Sequence, residues 1–180
     1  MSLTESEFVA LRQTIAVRGT VRVGLFLAAL LGWALVAVVL LLFNDLPAAA
    51  VFPLAVLTAG FEAVHALHVG AERIGRYLQV YYEAGNDGPQ WETAAMAVGP
   101  ALPGGGIDPL FTVVFTCAAV LNLVPALIPE PTPMETGVIG TLHVLFIIRV
   151  IRARVAAARQ RAVELESFRA LRSRRAEPKL

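Results

Sequence analysis

The feature that most constrains this chain is where its basic residues are absent. Its 15 Lys and Arg residues fall in three stretches, Arg12 to Arg22, Arg73 to Arg76 and Arg149 to Lys179. Long apolar runs separate them. The two remaining connections, around Asn44–Pro47 and Pro129–Pro133, carry no Lys or Arg. Alternation of basic and non-basic connections is the positive-inside pattern of a multi-span membrane protein, with the basic segments in the cytoplasm.

Composition points the same way. The chain of 180 residues is 57% hydrophobic and 16% charged, whereas a soluble domain carries roughly a quarter charged residues. The net charge of +1 conceals a strongly basic C-terminal segment opposed only by Glu164, Glu166 and Glu177. Arg outnumbers Lys fourteen to one, the usage of a GC-rich genome, so a bacterial inner (plasma) membrane is the expected compartment. The apolar run from Val23 to Phe43 exceeds the 7–15 residues of a signal-peptide core and reads as an uncleaved span. The single Cys117 excludes an intrachain disulfide and a Cys-based metal site.

These patterns predict an all-α polytopic membrane protein with four transmembrane helices, long cytoplasmic helical extensions and both termini in the cytoplasm. Residues 1–22 form an amphipathic N-terminal helix that lies on the inner leaflet or runs straight into the first span. Ser2 to Glu5 resemble a capping box at its start. Residues 23–151 form the membrane bundle, with spans at 23–43, 48–70, 109–128 and 135–151. The second span is expected to stay helical to about Glu83. The segment 85–108 reads as an interfacial loop with a short helix, Trp91 at headgroup level and a flexible joint at Pro103–Gly106. Asp108-Pro109 signals a helix start, and Pro125 predicts a kink. The fourth span is short, because only thirteen residues separate Glu135 from Arg149 where about 20 are needed. A three-span alternative would place the basic C-terminus outside, against the charge rule. Residues 152–180 continue as a basic cytoplasmic helix, with Val155, Ala158, Ala162, Leu165 and Phe168 as its apolar stripe.

Ionisable groups within a span are costly and need a partner or a purpose. The candidate site is therefore an intramembrane polar cluster of Glu62, His65, His68, Glu72, His143 and Arg149, with Asn122 also in an apolar run. The first four share one helical face. Beside them runs a ladder of small residues, Ala55, Ala59, Ala63, Ala66 and Gly70, which predicts a tight seam that holds Glu62 away from lipid. Depth along the helices leaves Glu62–His143 and Glu62–Arg149 pairings open. Trp33, midway along the first span, is expected to pack and to bond its indole N–H across the bundle.

Four readings of that cluster compete. The polar groups fix helix register. They relay protons or ions. His143 with His65 or His68 holds haem b, with Gly137 and Gly140 leaving room for the ring. Or Glu62-x-x-His65 begins a metal site, for which the chain lacks a second such motif and two further carboxylates. No hydrolase, phosphate-binding-loop or zinc motif is present. The expected function is that of a non-enzymatic integral membrane protein acting by assembly, as a homo-oligomer or an accessory subunit of a larger membrane complex. The alternatives are a proton or ion conductor and a b-haem-binding membrane subunit. The expected partners are the bilayer with its anionic inner-leaflet lipids, other proteins or further copies of the chain. No motif for nucleic acid accompanies the basic tail.

Overall fold

The computed structural model describes residues 3–43, 46–85, 87–88, 90–98, 109–128 and 130–176. The expected capping residue Ser2, the turn residues Asn44 and Asp45, the joint at 103–106 and the helix-start residue Asp108 lie outside them. Among the described residues the chain is helical and contains no strand. Helix α1 runs Leu3–Phe43. A 3-10 turn at Pro47–Ala50 leads into α2, Val51–Leu78, which ends in a π turn at Gln79–Glu83. Then follow α3 (Trp91–Val98), α4 (Pro109–Leu121), α5 (Val124–Leu127) and α6 (Pro133–Ala176).

Three helical stretches, Thr4–Phe43, Pro47–Glu83 and Pro133–Arg175, are long and apolar enough to cross a membrane. A fourth apolar stretch, Phe111–Leu127, is shorter. Helix α1 is unbroken from Leu3 to Phe43, through its amphipathic start and its apolar run. Helix α6 likewise runs without interruption past Ile151, as the continuing helical spacing predicted. The chain breaks before the expected kink. Asn122 and Leu123 form a turn, and Pro125 sits in the first turn of α5, where its missing N–H costs nothing. Helix α6 starts with a capping box: Thr132 N–H donates to Glu135 Oε2 at 2.9 Å, and Glu135 N–H reaches Thr132 Oγ1 at 3.3 Å.

The chain divides into two compact units. The apolar one comprises Arg22–Ala66 and Pro109–Arg154. Its core gathers Leu54, Leu57, Phe61, Phe115, Ala118, Phe146 and Val150. Such a core is held by close packing of its side chains. Edge-on ring contacts supply part of it. Phe26 meets Phe111 at 4.5 Å and Phe61 meets Phe115 at 5.4 Å, both at 80°, worth about 0.5–1.5 kcal/mol each beyond the buried area.

The tight seam of α2 is not the predicted small-residue ladder. Ala55, Ala59 and Ala66 are exposed, and Ala63 and Gly70 are half-buried. The buried face carries Leu54, Leu57, Phe61 and Val64, and the close approach is at Gly60, where an added Cβ would overlap Ala29. Alanine spacing marked a face without saying which way it turns. Shape decided, because Leu54, Leu57 and Phe61 cluster with Phe115 and leave Ala55, Ala59 and Ala66 outward.

The second unit comprises Met1–Val21, Leu67–Asp108 and Val155–Leu180. Charge holds it together. Arg73 and Arg76 both bond to Glu164, Arg76 also reaches Glu72 at 3.2 Å, and Arg161 meets Glu72 at 3.4 Å. Aromatic rings fill the gaps, with Phe8 beside Tyr82 and Tyr77 between Tyr81 and Phe168. Of the predicted α6 stripe, Leu165 and Phe168 face inward, whereas Val155 and Ala162 are exposed. The side chain of Ala158 lies outside the described residues.

Candidate functional site

Asn122 is the centre of the apolar unit. It sits in the turn that ends α4, is fully buried and spends its whole amide. Its Oδ1 accepts from Trp33 Nε1–H at 3.1 Å. Its Nδ2 donates to the Ala50 carbonyl at 2.8 Å and to His143 Nε2 at 3.0 Å. His143 lies within hydrogen-bond distance of the Ile139 carbonyl through Nδ1, at 2.8 Å. A carbonyl only accepts, so Nδ1 carries the proton, Nε2 accepts from Asn122, and the ring is neutral. One side chain thus ties together α1, the turn before α2, the α4 end and α6. The indole bond expected of Trp33 is present, with Asn122 as its acceptor.

The predicted cluster separates into distinct sets. Glu62 and Arg149 form an ion pair at 2.7 Å, one of the two pairings left open by depth, and His143 pairs with Asn122 instead. Glu62 is not enclosed: its side chain and that of Arg149 are each 43% exposed. It lies beside the exposed alanines rather than on the packed face. The Arg149 guanidinium stands 5.8 Å from the Phe61 ring, and the His65 ring lies parallel to that same ring with centroids 5.8 Å apart. His68 and Glu72 belong to the charged unit, where Glu72 is taken by Arg76 and Arg161.

For haem, the consequence is specific. Both nitrogens of His143 are engaged by protein atoms, so an iron ligand at Nε2 would have to displace Asn122. Among the described residues no three His, Cys, Asp or Glu side chains gather as a metal site.

The charged unit holds a constellation that sequence reading missed. Glu83, at the end of the π turn and 3% exposed, caps α3. Its two oxygens accept from the backbone N–H groups of Glu92 and Thr93, each at 2.8 Å, and one also accepts from the Thr93 hydroxyl. A carboxylate suits the positive end of a helix. Arg12 bridges Glu92 at 2.6 Å and lies 3.8 Å from Glu83. Burial pushes the Glu92 carboxyl above its ordinary value, against the pull of Arg12. Burial and the nearby Glu7 carboxylate push the Tyr82 phenol up to about 12. Trp91, expected at headgroup level, is 66% exposed on a helix held by these polar contacts. A capping residue eight positions upstream of its helix leaves no local sequence signal, because the intervening loop must first fold back.

Beside this cap lies a cavity of about 490 Å³, lined by Gln79, Glu83, Thr93, Arg169, Arg172 and Ser173 among others. Arg172 closes one side by donating to the carbonyls of Val80 and Ala84. This satisfies acceptors that the π turn leaves open at the helix end.

Compared with protein-family models, curated proteins and solved structures, the chain matches none of them.

Proposed function

We propose that this is a non-enzymatic integral membrane protein that acts by assembly, as a homo-oligomer or an accessory subunit of a larger membrane complex. The observation that carries the reading is the saturated amide of Asn122. The deepest polar groups of the apolar unit, Asn122 and His143, spend their bonding capacity on each other and on Trp33, Ala50 and Ile139. They hold the helices in register and leave little for chemistry.

In this reading α1, α2, the α4–α5 pair and α6 cross the bilayer of a bacterial plasma membrane, with both termini in the cytoplasm. Two observations support it. The Arg-rich segments belong to the charged unit or border it, as the positive-inside rule requires. The divisions at Arg22, Ala66 and Arg154 each lie close to the roughly 20 residues from the far helix end that a hydrocarbon core demands. Arg149 then lies about one turn inside the cytoplasmic boundary, within reach of snorkelling. The charged unit is the cytoplasmic part, suited to docking and to contact with anionic lipid.

Conduction of protons or ions through Glu62 is the second reading. The observation favouring it is the half-exposed carboxylate. The ion pair with Arg149 weighs against it, because it already gives the carboxylate a structural partner. Glu62→Gln separates the two. The assembly reading predicts unchanged stability and no proton flux in vesicles before or after the substitution; flux in the parent that the substitution abolishes would establish conduction. Gentle purification from native membrane tests the assembly reading itself. A stable set of co-purifying chains or a multiple of the 19.3 kDa subunit supports it. A Soret band in the same sample would instead point to haem on His65, His68 or His143.

A further inference from the structure

The cavity of about 490 Å³ beside the α3 cap forms where three elements of the charged unit meet. These are the π turn that ends α2, the start of α3 and the last turns of α6. The π turn shapes one wall. Ala84 N–H bonds back five residues to the Gln79 carbonyl at 3.0 Å, and the Val80 carbonyl is left to Arg172. Turns of this kind are frequent at functional sites.

On α6, Arg169, Arg172 and Ser173 line the cavity and share one face at three- and four-residue spacing. Arg172 is fixed by its Nη1, which donates to the carbonyls of Val80 and Ala84. Its Nε and Nη2 have no partner among the described residues, and neither has the Arg169 guanidinium. The one carboxylate among the lining residues is Glu83. Its two oxygens accept from the backbone of Glu92 and Thr93, and Arg12 stands 3.8 Å away. That negative charge is already balanced, so the cavity holds two guanidinium charges without a counter-charge.

We propose that this cavity binds the phosphate end of a small phosphomonoester, held by Arg169 and by the Nε–Nη2 edge of Arg172. Charge favours phosphate over carboxylate. A phosphomonoester carries about −1.5 to −2 at neutral pH and matches two guanidinium groups, whereas a carboxylate leaves one unbalanced. Arginine grips phosphate through two parallel N–H groups, which that edge of Arg172 offers. Volume adds the rest. Small-molecule pockets run from about 300 to 1,000 Å³, so the cavity admits more than a bare phosphate ion. The Gln79 amide, whose oxygen has no partner among the described residues, suits a polar, hydroxyl-bearing remainder. Two sources supply that chemistry: a soluble ester such as glycerol phosphate, and the headgroup of phosphatidic acid. The site lies wholly within the charged unit and stands independently of assembly.

Two arms test this on the full chain. In the soluble arm, glycerol phosphate is titrated with the protein in phosphate-free detergent and its phosphorus resonance is followed by NMR. In the lipid arm, the chain is extracted from vesicles of phosphatidylcholine with equal parts of phosphatidic acid and phosphatidylglycerol, and the retained lipid is counted per chain. Arg169→Gln is the diagnostic variant. The guanidinium it removes bonds nothing among the described residues, so the thermal transition should stay in place. Arg174→Gln removes the same charge from the same helix but outside the cavity. Saturable binding in at least one arm is expected, weakened about tenfold or more by Arg169→Gln and less than about twofold by Arg174→Gln. The arm that binds names the source. Acetate bound as tightly as glycerol phosphate, or phosphatidylglycerol kept as readily as phosphatidic acid, overturns the phosphomonoester. Equal weakening by the two substitutions reduces the effect to net charge and overturns the site, as does absence of binding in both arms.

Discussion

Asn122 donates to His143 Nε2 at 3.0 Å, joining the turn after α4 to the middle of the apolar stretch of α6. The bond sits where both partners are sealed, at 0% and 2% exposure. Removing the Asn122 amide leaves a ring nitrogen, an indole N–H and a carbonyl without partners. Single interhelical hydrogen bonds in lipid average about 0.6 kcal/mol, but orphaned buried groups cost about 1–3 kcal/mol. Asn122→Leu, which orphans three groups, should therefore destabilise the protein by about 2–3 kcal/mol in detergent unfolding, and Trp33→Phe, which orphans only Asn122 Oδ1, by about 1 kcal/mol. Equal losses from the two would show that Asn122 acts through packing alone.

The charged unit should weaken in acid, and Glu164 is the reason. Burial pushes its carboxyl up, but hydrogen bonds from Arg76, Arg73 and Gln160 outweigh burial and hold it below the usual 4.5. A carboxyl that titrates lower when folded contributes fully above pH 4.5. That contribution is lost as pH falls through the folded value. Glu164→Gln should flatten this acid limb of the stability curve. Arg76→Met, which strips a guanidinium only 6% exposed from a carboxylate 13% exposed, should cost about 3 kcal/mol at neutral pH. An acid limb unchanged by Glu164→Gln would assign it to another group.

Glu83 governs α3. Glu83→Ala uncaps two backbone N–H groups and removes the Thr93 hydroxyl's acceptor, a loss of about 1–2 kcal/mol. The effect should be local: hydrogen exchange at Glu92 and Thr93 should quicken, while amides around Phe115 keep their protection. Uniform loss of protection would mean that the cap supports the whole fold.

Helical class and the extent of the apolar runs are legible in the sequence, because period and length register burial directly. The four helical stretches, the continuation of α2 to Glu83 and that of α6 beyond Ile151 follow from them. Partnerships are less legible. Asn122 stands out as a polar residue in an apolar run, but nothing local says that it meets Trp33, 89 positions away. Glu62–Arg149 is one of two pairings that depth allows, and only the rotation of α2 chooses between them. The capping box of Thr132 and Glu135 is present as a pattern and passes unread, because the prolines around it read as loop. The face of α2 is misread because alanines pack either against a helix or against lipid.

Orientation carries the proposed topology. A reporter active only outside the cytoplasm should be silent when joined after Lys179 and active when placed in the loop Pro129–Pro133. The reverse pattern would turn the molecule over and remove the cytoplasmic assignment of the charged unit.

The most direct measurement of the central claim is the mass of the protein extracted from its own membrane with its surrounding lipid, without detergent exchange. Assembly predicts a discrete particle holding two or more 19.3 kDa chains, or one such chain with stoichiometric partners, unchanged on dilution. A particle holding a single chain and lipid alone would contradict it.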